Sequence, residues 1–186
     1  MMDIKSGRID IIMGSMFSGK STEAIRIINR YKVLEKNILI INHISDDRYK
    51  KNCIATHSNM SINCFSIETL NDVKTNSIYS YNERDVIVIE EAQFFNNLYD
   101  FCIEAADKDN KIVVIIGLDG DSNRNQFGDI VKLIPHCDSV KKLHALCVKC
   151  KNGTLASFTK RLANSSTQVL IGVNEFIPVC RYHYNN

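Results

Sequence analysis

The sequence predicts an α/β protein in which helices flank a parallel sheet and a small C-terminal lobe follows. Short runs rich in isoleucine and valine alternate with helical patterns, as expected when both faces of a parallel sheet are covered by helices. The first of these runs leads directly into a glycine-rich turn and a helix. These two observations favour the P-loop (RecA-like) class of α/β folds.

The predicted elements follow from the spacing of apolar residues along the chain. Ala24, Ile25 and Ile28 repeat at helical spacing and give the first helix one apolar face. The region 47–80 is less regular, and short strands are expected there near 61–66. The predicted strands cover residues 8–13, 37–42, 86–89 and 112–118, and the predicted helices cover residues 20–35, 97–107 and 127–134.

The glycine-rich turn is a nucleotide-binding motif. Residues 14–21 read G-S-M-F-S-G-K-S, and a turn between a strand and a helix points its backbone N–H groups at one phosphate site. Lys20 is expected to reach the β- and γ-phosphates, and the Ser21 hydroxyl to bind magnesium. The phosphate-binding turn, as we call this segment, consists of Gly14, Ser15, Met16, Phe17, Ser18, Gly19, Lys20 and Ser21.

An acidic pair, Glu90 and Glu91, follows the apolar run 86–89. A carboxylate at the end of a strand beside a P-loop is the Walker-B arrangement, which faces the magnesium site. Two adjacent carboxylates can divide two tasks, because one can serve the metal while the other accepts the proton of an attacking hydroxyl. The alternative is an acidic helix start without a chemical role.

Two short-spaced pairs of soft metal ligands lie near the C-terminus. Cys147 and Cys150 form one pair, and Cys180 and His183 form the other. Three thiolates and one imidazole complete a tetrahedral zinc site with no open position, so the metal is expected to be structural. The alternative is four unrelated buried residues.

The helical pattern ends at about residue 139. Short β-like pieces near 155–159 and 168–172 then lie between the cysteine pairs. We therefore predict a P-loop nucleotide-binding domain over residues 1–140 and a zinc-binding lasso domain over residues 141–186. A lobe of about 45 residues has only a small hydrophobic core and needs a cross-link, such as a bound metal, to be stable.

Composition and charge exclude several functional classes. The 186 residues are 45% apolar and carry a net charge of +2, which favours a globular protein and gives no strong electrostatic case for a nucleic-acid partner. Residues 1–12 are too charged for a signal peptide, and seven cysteines without other signs of secretion do not predict disulfides. No apolar run approaches the ~20 residues of a membrane span. We expect a cytoplasmic protein without a membrane partner.

These motifs together resemble the type II thymidine kinases of cells and large DNA viruses, over nearly the whole chain. Besides the phosphate-binding turn and the zinc ligands, the resemblance rests on D-D-R-Y at 46–49, E-E-A-Q-F-F at 90–95, L-D-G at 118–120, F-G at 127–128 and T-K-R at 159–161. It implies transfer of the γ-phosphate of ATP, with magnesium, to the 5′-hydroxyl of thymidine. Deoxyuridine is the nearest competing substrate, because a missing methyl group is a weak discriminator. The resemblance also implies a homotetramer and feedback inhibition by dTTP.

The resemblance further implies roles for single residues. Glu91 matches the general base, and Ser21 and Glu90 match the magnesium site. The implied ATP- and phosphate-binding residues are those of the phosphate-binding turn together with Asp46, Arg48 and Gln93. The implied nucleoside-binding residues are Met16, Phe94, Leu118, Ser122, Phe127, Thr167, Gln168, Val169, Leu170, Ile171 and Phe176, of which the last six belong to the lasso.

The chain departs from the family pattern at several positions. Glu90 is longer than the usual aspartate, and Ala92 stands where glycine is common. Ser122 replaces an aromatic residue, Ile171 a glycine and Phe176 a tyrosine. Two rival functions stay open, of which the first is motivated by the departures in the nucleoside pocket and the second by a zinc lobe that could grip nucleic acid. One is a catalytically weak nucleotide-binding homologue, and the other is a P-loop ATPase that acts on nucleic acid.

Overall fold

The structure is a computed structural model that describes residues 6–46, 52–55, 60–162 and 175–186. Its strands are β1 (Arg8–Gly14), β2 (Ile38–His43), β3 (Cys53–Ala55), β4 (Ser61–Asn63), β5 (Phe65–Ile67), β6 (Val86–Glu90), β7 (Ile112–Gly117), β8 (Ser139–Leu143), β9 (Ala145–Leu146), β10 (Leu155–Ala156), β11 (Phe158–Arg161) and β12 (Phe176–Val179). Its α-helices are α1 (Lys20–Val33), α2 (Leu98–Ile103) and α3 (Arg181–Asn185). Short 3₁₀ helices cover Ser77–Tyr79, Tyr81–Glu83, Ala92–Phe94 and Val131–His136, and a π-helix covers Glu104–Lys108.

Within the described ranges, six parallel strands form the central sheet in the order β5-β2-β6-β7-β1-β8. The predicted fold class and the four predicted sheet strands are therefore confirmed. Strand β1 is second from one side of the sheet, with β8 outside it and the other four strands on its other side. Because all six strands are parallel, the carboxyl ends of β1, β2 and β6 lie at the same edge. Ligands bind at this edge in open α/β sheets.

Both faces of the sheet are buried. Residues of β1 alternate between them, with Ile11 on the side of α2 and Ile12 on the side of α1. On the α1 side, Ala24, Ile25 and Ile28 pack against the sheet, as their helical spacing predicted. Because no sheet residue in β6 or β7 faces water, these strands lack the polar alternation of a half-exposed strand.

Two predicted helices differ from the observed structure. The helix predicted at 97–107 is present, but α2 changes into the π-helix for its last turn. The helix predicted at 127–134 is wrong, since a 3₁₀ helix begins only at Val131. Gly128 has a left-handed backbone with φ 63°, which interrupts a right-handed helix. Pro135 lacks the N–H that an α-helix requires.

The C-terminal lobe, made of β9 to β12 and α3, contains two antiparallel strand pairs. Strands β10 and β11 occupy the predicted strand region 155–159, whereas residues 168–172 lie outside the described ranges. The predicted division at residue 140 stays a prediction, and strand β8 of the central sheet runs across it. In the described ranges, no helix combines the length and the apolar character that crossing a bilayer requires.

Candidate active site at the carboxyl edge of the sheet

The phosphate-binding turn joins β1 to α1 at this edge. Lys20 begins α1, and its buried side chain donates a hydrogen bond from Nζ to the backbone oxygen of Ser15 at 2.9 Å. The Ser18 hydroxyl is buried and has no hydrogen-bond partner among the described residues. An ammonium group and a buried hydroxyl beside a helix N-terminus suit an anionic ligand.

The two predicted magnesium residues are in contact. Ser21 Oγ donates a hydrogen bond to Glu90 Oε1 at 2.5 Å. Glu90 is the last residue of β6, and its side chain is buried with 2% exposure. A hydroxyl and a carboxylate supply the oxygen ligands that magnesium prefers, so this pair fits the predicted metal.

Glu91 points to a different environment from Glu90. Its backbone lies in the left-handed region with φ 51°, so the chain turns sharply between the two carboxylates. Gln93 Nε2 donates a hydrogen bond to Glu91 Oε2 at 2.5 Å, and both side chains are buried. A left-handed non-glycine residue costs about 1–3 kcal/mol, and such backbone strain is found at active sites. The two carboxylates of the acidic pair thus have separate hydrogen-bond partners.

Aromatic rings lie beside the acidic pair. The rings of Phe94 and Phe127 meet edge to face, with centroids 5.4 Å apart. The ring of His43 is 5.3 Å from that of Phe94. Burial lowers the pKa of His43, against a smaller opposing effect of the Glu68 backbone and the Glu68 and Glu91 charges, which favours the neutral ring. The predicted aromatic residues are therefore brought together, with a histidine that was not predicted.

Asn42 is a second site residue that sequence reasoning missed. It is buried at the carboxyl end of β2 and pairs in register with Glu90 of β6. Its Nδ2 donates a hydrogen bond to Asp46 Oδ2 at 3.0 Å, which holds Asp46 near the acidic pair. The only signal for Asn42 and His43 was two polar residues at the end of a buried apolar run.

Other predicted residues link the site to the C-terminal lobe. The backbone N–H of Met16 donates to Thr159 Oγ1 at 3.0 Å, and the carbonyl of Ser122 accepts from the Tyr184 hydroxyl at 2.6 Å. Phe17 of the phosphate-binding turn is partly exposed. Leu118 donates its backbone N–H to Gln93 Oε1 at 3.0 Å.

The lasso, which is the segment between β11 and β12, is described only at its ends. Phe176 begins β12 and is buried, with the Arg161 guanidinium 5.2 Å from its ring centroid. Leu162 donates its backbone N–H to the carbonyl of Glu175 at 2.9 Å. Arg48, Thr167, Gln168, Val169, Leu170 and Ile171 lie outside the described residues.

The four predicted zinc ligands converge. All four donor atoms lie within 4.8 Å of one another. His183 Nδ1 is 3.6, 3.3 and 3.5 Å from the Sγ atoms of Cys147, Cys150 and Cys180, and the Sγ atoms of Cys150 and Cys180 are 3.8 Å apart. Sulfur and nitrogen ligands on one tetrahedral zinc ion lie about 3.5–3.8 Å apart. The cluster therefore has the geometry of a closed Cys3His site.

The thiol of Cys147 is poised to ionise. Burial raises its pKa, but hydrogen bonds from the backbone around Cys180, Cys150 and Lys149 outweigh burial and lower the pKa to about 6. Because the thiolate is the form that binds metal, this environment suits a zinc ligand.

Comparison with known proteins agrees with this geometry. The profile of the thymidine kinase family matches residues 7–184. The chain belongs to the thymidine kinase family. "Thymidine kinase a" of Arabidopsis thaliana is 41% identical over 181 residues, which are 96% of this chain and 75% of the plant protein. The thymidine kinase of Yaba monkey tumor virus (strain VR587) is 40% identical over 184 residues, which are 98% of this chain and 97% of the viral protein. That of Choristoneura fumiferana entomopoxvirus is 40% identical over 181 residues, 95% of this chain and 96% of its own length.

Membership of the thymidine kinase family confirms the resemblance that the motifs indicated. The structure brings the phosphate-binding turn, the acidic pair and the aromatic rings to one edge of the sheet. The roles assigned to single residues of this family member stay predictions, and they form the basis of the proposal below.

Proposed function

We propose that this protein transfers the γ-phosphoryl group of ATP to the 5′-hydroxyl of thymidine and releases dTMP. One observation carries the proposal: the phosphate-binding turn and two buried carboxylates with separate partners meet at one edge of the sheet. Family membership makes the protein a kinase that acts on thymidine. The donor and the residue roles are our proposals.

The triphosphate of ATP is held by the phosphate-binding turn. The Lys20 ammonium lies within the turn, and the Ser18 hydroxyl is available to a phosphate oxygen. Ser21 and Glu90 would hold magnesium, which, when bound, neutralises charge on the β- and γ-phosphates. Phosphoryl transfer depends mainly on positioning and charge neutralisation, and this arrangement of turn, lysine and metal ligands supplies both.

Glu91 is the general base of the proposed reaction. It would accept the proton of the 5′-hydroxyl as that oxygen forms a bond to the γ-phosphorus, while the bond from the γ-phosphorus to the bridging oxygen breaks and ADP leaves. Its carboxylate is bonded to Gln93 and turned away from the Ser21–Glu90 pair by the left-handed backbone. The base is thus kept apart from the metal ligands, although the two glutamates are adjacent in the chain.

The nucleoside binds beside the aromatic rings. Phe94 and Phe127 supply paired apolar rings, Leu118 directly follows β7, and Met16 belongs to the phosphate-binding turn. Edge-to-face aromatic pairs form rigid walls against which a flat base can pack. We propose that the lasso reads the thymine edge and that deoxyuridine is the nearest competing substrate.

Zinc has a structural role in this proposal. The lasso leaves β11 and returns at β12, which ends next to the zinc ligand Cys180. A metal at the Cys3His cluster would therefore fix both ends of the lasso without taking part in phosphoryl transfer. We also propose a homotetramer that works in the cytoplasm and is inhibited by dTTP, as the family resemblance implies.

The test is transfer of label from γ-labelled ATP, with magnesium, to thymidine, deoxyuridine, deoxycytidine and deoxyguanosine. We expect thymidine to be phosphorylated fastest and deoxyuridine next. ATP binding without transfer to any nucleoside would favour the nucleotide-binding homologue. ATP hydrolysis that is stimulated by nucleic acid, without nucleoside phosphorylation, would favour the ATPase.

A further inference from the structure

Gln93 links the candidate base to the nucleoside side of the site. Its side chain is buried with 3% exposure. Oε1 accepts a hydrogen bond from the backbone N–H of Leu118 at 3.0 Å, and Nε2 donates one to Glu91 Oε2 at 2.5 Å. Since a backbone N–H can only donate, the Leu118 contact fixes which end of the amide carries oxygen. The NH₂ group must then face Glu91.

Gly117 and Gly128 pack closely against Gln93. A Cβ atom at Gly117 would lie 2.4 Å from Gln93 Oε1 and 2.5 Å from Ile130 Cδ1. A Cβ atom at Gly128 would lie 2.3 Å from the Gln93 carbonyl oxygen. Because real Cβ atoms do not approach other atoms so closely, any side chain at these positions would displace Gln93. Gly117 of β7 therefore confines the side-chain amide of Gln93, and Gly128 confines its backbone.

We propose that Gln93 is a positioning residue that orients the Glu91 carboxylate relative to the nucleoside. This inference rests on the proposed role of Glu91 as the base, and it differs from the phosphate-binding role that the family resemblance implies for Gln93. Leu118 belongs to the proposed nucleoside wall. The two hydrogen bonds from Leu118 to Gln93 and from Gln93 to Glu91 therefore connect the nucleoside side of the site to the base. Misplacing a reacting group by about 1 Å can cost a hundredfold in rate.

The test compares Gln93→Met with wild type. Methionine keeps the length of the side chain but neither accepts from Leu118 nor donates to Glu91. We expect kcat for thymidine to fall about ten- to a hundredfold, with the KM for ATP within about twofold of wild type, since uniform ground-state binding is unaffected. Glu83→Met is the control, because Glu83 is exposed and lies in the 3₁₀ helix that precedes β6, at the opposite end of this strand from the acidic pair. A large rise in the KM for ATP would overturn the proposal in favour of phosphate binding.

A double-mutant cycle separates positioning from a general structural effect. If Gln93 acts through Glu91, then Gln93→Met should cause almost no further loss of kcat in a Glu91→Gln background. Losses that multiply would overturn the proposal. The melting temperature of each variant shows whether it is folded. Gln93→Asn provides a second variant if the methionine variant unfolds, because it keeps an uncharged amide but is one methylene too short to bond to both Leu118 and Glu91.

The outcomes also separate this inference from the proposed function. A collapse of kcat in Glu91→Gln together with wild-type kcat in Gln93→Met would overturn the positioning role alone. Wild-type kcat in Glu91→Gln would overturn the base assignment and the positioning role together. Loss of kcat in both single variants without further loss in the double variant would support both.

Discussion

The hydroxyl of Thr159 accepts a hydrogen bond from the backbone N–H of Met16 at 3.0 Å. Thr159 is buried in β11, and Met16 lies in the phosphate-binding turn. Thr159 also pairs in register with Pro178 of β12, two residues before the zinc ligand Cys180. Ser15 adds a second link, since its hydroxyl donates to the carbonyl of Ala156 at 3.2 Å. The C-terminal lobe thus supports the phosphate-binding turn directly.

Thr159→Val should weaken the binding of ATP. Valine keeps the shape of threonine but cannot accept from Met16, and a net hydrogen bond is worth about 0.5–1.5 kcal/mol. We expect the dissociation constant for ATP to rise about two- to tenfold, which calorimetry would measure. Thr75→Val is the control, because Thr75 is exposed and its hydroxyl bonds only locally to Asp72. Unchanged ATP affinity in Thr159→Val would show that the link to Met16 does not position the turn.

Removal of zinc should abolish thymidine binding and lower the melting temperature. The metal would fix Cys180 at the end of β12, and β12 pairs with β11 where the lasso begins and ends. Zinc loss should therefore release both ends of the lasso. Calorimetry with thymidine, before and after chelation and after zinc is restored, would measure the effect.

The matched variants for zinc removal are Cys180→Ser and Cys137→Ser. Only the first removes a ligand of the cluster, since Cys137 bonds to the carbonyl of Ile134. We expect Cys180→Ser to behave like the chelated protein and Cys137→Ser to behave like wild type. Normal thymidine affinity in protein shown to contain no metal would refute the structural role of zinc.

The sequence predicted those parts of the fold and the site that depend on local pattern. The strand β1, the phosphate-binding turn and α1 were predicted because buried apolar runs, a motif and helical spacing occur in succession. Strand β8 was missed because its residues, S-V-K-K-L, are largely exposed at the sheet edge. An edge strand pairs on one side only and lacks the apolar run of a central strand.

The missed parts of the site depend on contacts between distant segments. Asn42 lies beside Glu90 only because β2 pairs with β6. Gln93 meets Leu118 across 25 residues of chain, at the ends of β6 and β7. Sequence spacing carries no record of such contacts, whereas Ser21 and Glu90 were predictable because their motifs define one metal site.

Gly128→Ala should destabilise the protein and reduce its activity. Alanine at φ 63° is strained, and its Cβ would lie 2.3 Å from the Gln93 carbonyl oxygen. Gly153→Ala is a matched control, because Gly153 has φ 88° but open space around a Cβ atom. Strain alone should cost about 1–2 kcal/mol in each variant.

The clash at Gly128 should add to this cost and lower kcat, whereas Gly153→Ala should keep the wild-type kcat. Denaturant unfolding and steady-state assays of the two variants would measure these differences. Equal losses of stability would show that the segment around Gly128 can move away from Gln93.

The Glu23 carboxylate should stabilise the protein at neutral pH and lose this effect in acid. Hydrogen bonds from Arg26 and, less strongly, Lys141 lower the pKa of Glu23 from 4.5 to about 2, against the opposing effect of burial. The unfolded state therefore binds this proton more readily than the folded state, and stability falls as the pH drops from about 4.5 towards 2. Because Lys141 lies in β8 and Glu23 in α1, this contact helps to hold the edge strand.

Unfolding of Glu23→Gln and wild type at several pH values would test this effect. The difference in their free energies of unfolding should be largest at pH 7 and should shrink below about pH 4.5. The exposed Glu35 provides the control variant Glu35→Gln. A difference that does not change between pH 7 and pH 3 would contradict the assignment.

The most direct test of the central claim is the rate of phosphate transfer from labelled ATP to thymidine by Glu91→Gln. Glutamine keeps the shape of the side chain but cannot accept the proton of the 5′-hydroxyl. Loss of a general base should lower kcat by about 10²–10⁴-fold, while the affinity for ATP stays near that of wild type. Thymidine phosphorylation at the wild-type rate by Glu91→Gln would contradict the assignment of Glu91 as the base.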